Sequence, residues 1–265
     1  MKLQSQNPIG IFDSGVGGTS IWKEIQLLMP KEDTIYLSDT KNAPYGYKSE
    51  EEIIELSIKN TEYLLERDCK IIVVACNTAT TNAIRILRQK YDVPFIGIEP
   101  AIKPASLQTS TNTIGILATK GTLHSQLFEK ASSNLEDKIT IIERVGEGLV
   151  DLMEKGKINS PEMIELLTKY LKPMISENAD CIVLGCTHYP YLKKLIKNIV
   201  GHKIKIIDSG PAVAKQTQNV LSQHKLLKQN TSSSPKYYFY TNKNKATLSY
   251  FLKEYPNSII KEISF

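Results

Sequence analysis

Two cysteines of the chain follow short apolar runs in matching contexts. Cys76 comes after KIIVVA, and Cys186 comes after CIVLG. Short runs of this kind are typical of buried parallel strands, and open α/β sheets bind ligands at the carboxyl ends of their strands. A thiol at that position can act as a base or an acid, because the amides at the start of a following helix lower its pKa. A buried structural thiol is the alternative for either cysteine alone, but two matching contexts favour chemistry.

Cys69 and Cys181 lie near the opposite ends of the same two runs. With a rise of roughly 3.3 Å per residue, Cys69 and Cys76 would lie roughly 20 Å apart, and Cys181 and Cys186 roughly 16 Å. Four sulfurs at such separations cannot converge on one tetrahedral metal ion. We therefore expect no metal site and interpret Cys69 and Cys181 as packing residues.

Asp13 and His188 are further candidates for proton transfer. Asp13 opens the glycine-rich stretch DSGVGG after the first apolar run, and His188 lies two residues after Cys186. The carboxylate could steer a proton-transfer group or a substrate ammonium, or it could cap the next helix. The imidazole could exchange protons near neutral pH, or it could be structural. DSGVGG matches neither the dinucleotide fingerprint nor the phosphate-binding P-loop, so no nucleotide site is implied.

The composition fits a globular enzyme of one or two domains. The 265 residues are 41% hydrophobic and 23% charged, and the formal net charge of +5 is spread along the chain. A nucleic-acid-binding protein would concentrate its basic residues, so we expect no nucleic-acid partner. No apolar run approaches the roughly 18 residues of a membrane span, and the polar N-terminal residues do not resemble a secretory signal. These observations predict a cytoplasmic protein without a membrane partner.

Short apolar runs alternate with helical patterns along the chain. We predict strands at residues 9–12, 34–38, 70–75, 95–98, 113–118, 138–143, 181–185, 204–207 and 237–241. We predict helices at residues 18–29, 49–67, 78–91, 160–178, 191–199, 212–223 and 246–255, and a polar loop at 225–235. This alternation predicts parallel sheets covered by helices.

Two strand-end signatures occur twice, in opposite chain order. Asp13-Ser14-Gly15 follows IGIF and Asp208-Ser209-Gly210 follows IKII, just as each of the two chemical cysteines follows its own apolar run. Two similar α/β halves that face each other would explain this repetition. A chance match of three residues is the alternative.

Five motifs together resemble the glutamate racemases of the aspartate/glutamate racemase superfamily. In chain order they are DSGVGG, SDTKNAPYG, ACNTAT, GIEPA and LGCTHYP. The resemblance spans about residues 9 to 220. It implies an α/β fold of two similar three-layer domains with mainly parallel sheets and the active site in the cleft between them. It assigns residues 1–98 plus 211–265 to the first domain and residues 99–210 to the second.

The resemblance also implies roles for individual residues. Cys76 corresponds to the thiol that takes the α-proton of D-glutamate, and Cys186 to the one that acts on L-glutamate. Asp13 and His188 correspond to the groups that support the first and the second thiol. The positions that match substrate-binding residues are Asp13, Ser14, Tyr45, Gly46, Asn77, Thr78, Thr187 and His188.

Asp39 and Glu154 match acidic residues to which auxiliary roles are sometimes given. Residues 149–154 read LVDLME, and many family members have a proline where this chain has Asp151. This departure leaves the direction of the Glu154 side chain open.

The implied activity is a cofactor-independent interconversion of L- and D-glutamate by a homodimer, which supplies D-glutamate for peptidoglycan synthesis and so for cell-wall biogenesis and cell shape. One base cannot readily reach both faces of a bound α-carbon, so two thiols are expected. Three alternatives remain: an aspartate racemase, a thiol-based redox protein and a non-catalytic amino-acid-binding module. The redox interpretation is weakened by the absence of a C-x-x-C motif, and the binding module by the presence of both thiols.

Overall fold

Strands and helices alternate in the computed structural model of the chain, which describes residues 3–133, 135, 139–229 and 234–265. The strands are β1 Ile9–Asp13, β2 Thr34–Ser38, β3 Ile71–Val74, β4 Phe95–Gly97, β5 Thr113–Ala118, β6 Thr140–Val145, β7 Cys181–Gly185, β8 Lys205–Ile207, β9 Tyr237–Thr241 and β10 Ser258–Glu262. The helices are α1 Thr19–Leu28, α2 Glu50–Leu65, α3 Asn77–Lys90, α4 Ile102–Ser106, α5 Lys120–Leu123, α6 Gln126–Ser133, α7 Leu149–Glu154, α8 Pro161–Ser176, α9 Lys193–Val200, α10 Gly210–Gln223 and α11 Lys245–Phe251.

The chain divides into two compact units, each built on one sheet. Unit 1 consists of Met1–Ile98 and Gly210–Phe265, and unit 2 consists of Glu99–Ser209. The sheet of unit 1 has the strand order β10-β9-β2-β1-β3-β4, and the sheet of unit 2 has the order β6-β5-β7-β8. Neighbouring strands are parallel throughout both sheets. The predicted α/β class with parallel sheets in two domains is confirmed.

In unit 1, three central strands end at one edge of the sheet. All residues of β1, β2 and β3 are buried, which is expected of strands covered by helices on both faces. Asp13 pairs with Ser38, and Phe12 pairs with Val74. This register brings Asp13, Asp39 and Cys76 to the same carboxyl edge, so three ionisable groups of distant sequence positions become neighbours.

In unit 2, β7 lies between β5 and β8, and all five of its residues are buried. Ala118 at the end of β5 pairs with Gly185, the residue before Cys186. Helix α8 packs tightly on this sheet, since a Cβ at Gly115 would lie 2.5 Å from the Met174 sulfur. The chain therefore places Cys186 at the carboxyl edge of a closely packed sheet.

The repeated signatures lie on adjacent strands in both units. Asp13-Ser14-Gly15 follows β1, which pairs with the strand before Cys76. Asp208-Ser209 follows β8, which pairs with the strand before Cys186. The surroundings differ, because Asp13 is buried whereas Asp208 forms an ion pair with the half-exposed Lys193.

Several predicted elements need correction. The helix predicted at 246–255 ends at Phe251 and is followed by strand β10, which was not predicted. Helices α4 to α7 were not predicted either, because each has only four to eight residues, too few for a helical repeat to stand out in the sequence. The helix predicted from residue 191 begins instead as a 3-10 turn at Tyr189–Leu192. Lys138 of the predicted strand and residues 230–233 of the predicted loop lie outside the described residues.

A capping box precedes α2. The Ser49 hydroxyl accepts from the Glu52 amide, and the Glu52 carboxylate accepts from the Ser49 amide, so two amides at the helix start are satisfied. No helix within the described ranges combines the length and the apolar character that crossing a membrane requires.

Candidate active site

Cys76 caps the amino terminus of helix α3. Its Sγ accepts a hydrogen bond from the Ala79 amide at 3.4 Å, and the thiol donates to the Ser14 Oγ at 3.7 Å. The cysteine is 5% exposed. A helix start carries a partial positive charge, so this position stabilises a thiolate.

Asp13 holds the turn between β1 and α1 in place. Its Oδ2 accepts from the Gly18 amide at 2.7 Å, while Gly18 is the N-cap of α1 without a side-chain cap. A Cβ at Gly18 would lie within 3.0 Å of the Asp13 Cβ, the Tyr36 hydroxyl and the Ala75 carbonyl. Asp13 thus closes this turn, and the close contacts at position 18 leave room only for glycine. The turn lies at the sheet edge where Cys76 lies.

Tyr45 and Asp39 form a buried hydrogen-bonded pair. The Tyr45 hydroxyl donates to Asp39 Oδ2 at 2.5 Å and accepts from Asn60 Nδ2 at 3.1 Å. Burial raises the pKa of Tyr45 well above its usual value, and the negative charges of Asp39 and Cys76 raise this pKa further. Tyr45 is therefore a protonated donor near the Cys76 sulfur at neutral pH.

Asn77 and Thr78 form the first turn of α3 and are both 3% exposed. The Asn77 Nδ2 lies 3.5 Å from the Ile98 carbonyl, and its Oδ1 is buried without a hydrogen-bond partner among the described residues. Gly46 lies in the 3-10 turn Tyr45–Tyr47, just after the buried Tyr45. These residues surround the same sheet edge as the Cys76 thiol.

In unit 2, Cys186, His188 and Glu154 form a chain of hydrogen-bonding groups. The Cys186 Sγ lies 3.7 Å from His188 Nδ1, and His188 Nε2 lies 2.7 Å from Glu154 Oε1. His188 is 1% exposed. Burial lowers the pKa of His188, but its hydrogen bonds to Cys186 and Glu154, together with the negative charges of these two groups, outweigh burial and raise this pKa well above the ordinary value. This position between a thiol and a carboxylate favours the protonated form of the imidazole.

Helix α7, which carries Asp151 in its first turn, directs Glu154 toward His188. The N-cap Gly148 has a φ of 79°, a left-handed conformation that glycine adopts without strain. Asp151 lies in the first turn of α7, where a carboxylate interacts favourably with the helix dipole. The aspartate is thus compatible with the helix that carries Glu154. Thr187, between Cys186 and His188, is 3% exposed.

The other two cysteines lie at the amino-terminal ends of β3 and β7. Burial raises the pKa of the Cys69 thiol to about 12. Burial, followed by the charge of Asp180, raises the pKa of the Cys181 thiol to about 11. Both side chains are fully buried, so they have the properties of packing residues.

Three asparagines complete the site of unit 1 and were missed in the sequence. Asn42, Asn60 and Asn242 donate to Asp39 or Tyr45. Asn42 lies inside the SDTKNAPYG motif and could have been proposed. Asn60 in a helix and Asn242 near the C-terminus carry no local signal, since only the fold brings them to Asp39.

The structure groups the predicted site residues by unit. Unit 1 holds Asp13, Ser14, Asp39, Tyr45, Gly46, Cys76, Asn77 and Thr78, and unit 2 holds Glu154, Cys186, Thr187 and His188. Each unit thus presents one thiol at the carboxyl edge of its sheet, with hydrogen-bonding groups around it.

Known proteins resemble this chain over most of its length. The model of the Asp/Glu/Hydantoin racemase family matches residues 19–217. A glutamate racemase from Herpetosiphon aurantiacus is 44% identical over 85% of this chain and 89% of its own, and one from Ralstonia pickettii is 41% identical over 89% and 83%.

Solved structures show the same fold. The glutamate racemase from Francisella tularensis in complex with D-glutamate gives a TM-score of 0.84 at 29% identity, covering 98% of both chains. The Escherichia coli glutamate racemase in complex with L-glutamate and the activator UDP-MurNAc-ala gives 0.85 at 30% identity, covering 98% of this chain and 99% of its own. The family match and the identity of these relatives show that the chain belongs to the Asp/Glu/Hydantoin racemase family of isomerases.

Proposed function

We propose that this protein is a glutamate racemase that interconverts L- and D-glutamate by two-base proton transfer between Cys76 and Cys186. The observation that carries the proposal is the pair of buried strand-end thiols, each with its own hydrogen-bonding support. The relatives that share 41% and 44% identity are glutamate racemases, and the related structures hold D-glutamate or L-glutamate.

Two thiols can provide the base and the acid that inversion of the α-carbon requires. The α-proton leaves one face of the substrate carbon and another proton arrives at the opposite face, so an acid and a base are needed at once. An ordinary thiol has a pKa of about 8.5, close enough to neutral pH to serve in either role. The mechanism requires that both thiols reach the same α-carbon from opposite sides.

In the D-to-L direction, the Cys76 thiolate takes the α-proton and becomes a thiol. The negative charge left on the substrate is neutralised when the Cys186 thiol delivers its proton to the other face. Cys186 ends as a thiolate, and one proton has moved onto Cys76. The Ala79 amide and the start of α3 stabilise the thiolate of Cys76 before the step.

In the L-to-D direction, the roles of the two thiols are exchanged. The Cys186 thiolate takes the α-proton, and the Cys76 thiol protonates the opposite face. The His188 imidazolium, held by Glu154, stabilises the thiolate of Cys186 beforehand. After each turnover, Asp13 and His188 are the groups that can exchange protons with the two thiols and restore their starting protonation states.

The substrate carboxylates need hydrogen-bond donors. We propose that these donors belong to Ser14, Tyr45, Gly46, Asn77, Thr78 and Thr187. Asp13 and His188, which support the two thiols, also contact the substrate. Amides at the start of a helix such as α3 bind anions well, which suits a dicarboxylate substrate.

Further parts of the proposal concern the whole protein. Units 1 and 2 correspond to the two racemase domains, and the enzyme acts as a homodimer without a cofactor or metal ion. It works in the cytoplasm and supplies D-glutamate for peptidoglycan synthesis, and thereby for cell-wall biogenesis and cell shape. Thiols and hydrogen-bond donors of the chain itself provide every group that the proton transfers use.

The direct test is to incubate the pure protein with L-glutamate and follow the circular dichroism of the amino acid. We expect the signal to decay to zero, because the two enantiomers have equal free energy. L-aspartate serves as the control substrate and should react far more slowly. The activity should survive dialysis against a chelator. A stable glutamate signal, racemisation of aspartate at an equal or higher rate, or activity lost to the chelator and restored by metal would contradict the proposal.

A further inference from the structure

The segment that carries Tyr45 and Gly46 is tied to the C-terminal part of the chain. Strand β9 pairs with β2 so that Thr241 lies opposite Ser38. The next residues, Asn242 and Asp39, therefore leave the sheet at the same edge. Asn242 comes from a stretch that contributes none of the five motifs, yet the fold brings it next to the site of unit 1.

The side-chain amide of Asn242 makes two hydrogen bonds of different kinds. Its Nδ2 donates to Asp39 Oδ1 at 2.6 Å, and its Oδ1 accepts from the Lys41 backbone amide at 2.8 Å. Because one end of the amide must donate and the other must accept, this pairing sets the orientation of the side chain. Asn242 therefore holds this segment at two residues, Asp39 and Lys41.

Asp39 depends on such donors. It is 2% exposed, and no ion pair of Asp39 occurs among the residues that the structure describes. Its oxygens accept from Asn42, Tyr45 and Asn242, all of which are neutral. A buried carboxylate is costly unless hydrogen bonds satisfy it, so the loss of one donor would displace Asp39.

The orientation of Tyr45 depends on Asp39 in turn. The Tyr45 oxygen accepts from Asn60, which leaves its hydrogen to point at Asp39. Tyr45 lies close enough to Cys76 for a charge on the thiol to be felt at its ring. A displaced Asp39 would therefore release the tyrosine beside the catalytic thiol.

Resting on the proposed function, we propose that Asn242 is a positioning residue for glutamate binding: by holding Asp39 and the Lys41 amide, it fixes Tyr45 and Gly46 in the orientation that receives the substrate. The C-terminal segment thereby completes the binding site of unit 1. Asn242 does not act on the reacting atoms, so its loss should weaken binding more than it slows proton transfer.

The test is the substitution Asn242→Asp, which keeps the shape of the side chain but replaces the donor by a carboxylate facing Asp39. We expect KM for both glutamate enantiomers to rise at least tenfold, with a smaller change in kcat. The ratio kcat/KM should fall by the same factor in both directions, because the enantiomers have equal free energy. A role in fold stability alone would lower the melting temperature and leave KM unchanged.

Asn244→Asp is the matched control. Asn244 lies two residues further along the same turn and caps α11 through its side-chain oxygen, which an aspartate retains. This variant adds the same charge to the same turn and should keep the KM of the wild type. An equal rise in KM for Asn244→Asp would attribute the effect to charge alone and overturn the proposal.

Asn242→Ala is a second test in case the Asn242→Asp variant does not fold. It removes the donor to Asp39 without adding a charge. We expect its KM to rise at least threefold with a melting temperature close to that of the wild type. Wild-type racemisation combined with an unchanged KM in the folded variants would overturn the role of Asn242 and leave the proposed function intact. A wild-type protein that does not racemise glutamate would overturn both.

Discussion

The two strand-end thiols occupy similar positions in their sheets and have different partners. Cys76 begins the 14-residue helix α3 and contacts a backbone amide and a serine hydroxyl. Cys186 is followed by a short 3-10 turn and faces an imidazole that a carboxylate holds. Cys76 thus lies beside an amide, a hydroxyl and the start of a helix, whereas Cys186 lies beside an imidazole that a carboxylate holds.

Under the proposed mechanism, the two thiols perform equivalent chemistry in different surroundings. The dipole of α3 acts at any pH, because peptide groups do not titrate. The support of Cys186 depends on the charge of His188, whose pKa the neighbouring groups raise well above its ordinary value. The Cys186 side of the reaction should therefore be the more sensitive to pH and to the loss of a single charged residue.

The largest expected effect comes from removing either thiol. Cys76→Ala and Cys186→Ala should each lower racemisation by a factor on the order of 10⁴ or more, because the acid or the base of the mechanism is then missing. Circular dichroism of glutamate measures the loss. Cys69→Ala and Cys181→Ala are matched controls and should retain activity, since these thiols are packing residues. A Cys186→Ala variant that racemised glutamate at a comparable rate would mean that one base suffices.

A smaller effect is expected when the His188 support is weakened. Glu154→Gln should lower kcat by about 10- to 100-fold, because a hydrogen bond to a charged group contributes about 1.5–3 kcal/mol. The pKa of His188 should fall toward its ordinary value in this variant, since one of the groups that raise it has lost its charge. The pH profile of kcat should show its basic limb at lower pH than in the wild type.

Glu154→Gln should also change how the stability of the fold depends on pH. Because the folded-state pKa of His188 is raised, its protonation stabilises the fold fully below the unfolded value of about 6.5 and stops doing so as the pH rises through the folded value. The gap in melting temperature between the wild type and Glu154→Gln should thus be widest at acidic pH and narrow as the pH rises. A gap that grows with pH would show that the sign of the His188 shift is wrong.

The hydroxyl partner of Cys76 should matter less. Ser14→Ala removes an oxygen 3.7 Å from the Cys76 sulfur, and a neutral hydrogen bond contributes about 0.5–1.5 kcal/mol. We expect a loss of about 2- to 10-fold in kcat, measured by the same dichroism assay. Ser57→Ala is the control, because Ser57 is also buried and its hydroxyl donates to the Ile53 carbonyl within α2. Equal losses in both variants would remove Ser14 from the support of Cys76.

The smallest effect is expected at Asp151. Asp151→Ala should cost about 0.3–1 kcal/mol of stability through the dipole of α7 and leave kcat within twofold of the wild type. Thermal unfolding and the racemisation assay measure the two quantities. Since Asp151 and Glu154 share this helix, a large loss of activity would show that the direction of Glu154 depends on Asp151.

The sequence predicted the strands well because their apolar runs are continuous. Cys181–Gly185 and Thr113–Ala118 were placed at their observed bounds. Helices α4 to α7 were missed since short helices gain most of their stability from tertiary packing, which local patterns do not record. Strand β10 was missed because it is a partly exposed strand that contains Lys261 and Glu262.

For the site, motifs located the thiols and their sheet edges but not the groups that hold them. The direction of Glu154 could not be read from the sequence, because it depends on helix α7 and on the left-handed Gly148. Asn242 lies 203 positions from Asp39, and only the pairing of β9 with β2 brings the two together. Contacts of this length follow from topology, not from local sequence.

The most direct test of the central claim is the exchange of the substrate α-proton in D₂O, measured by NMR for each enantiomer with Cys76→Ser and Cys186→Ser. A serine retains the shape but is a far weaker base than a thiolate. We expect Cys76→Ser to lose exchange from D-glutamate and to retain it from L-glutamate, and Cys186→Ser to show the reverse. Loss of exchange from both enantiomers to the same extent in both variants would contradict the assignment of one thiol to each face.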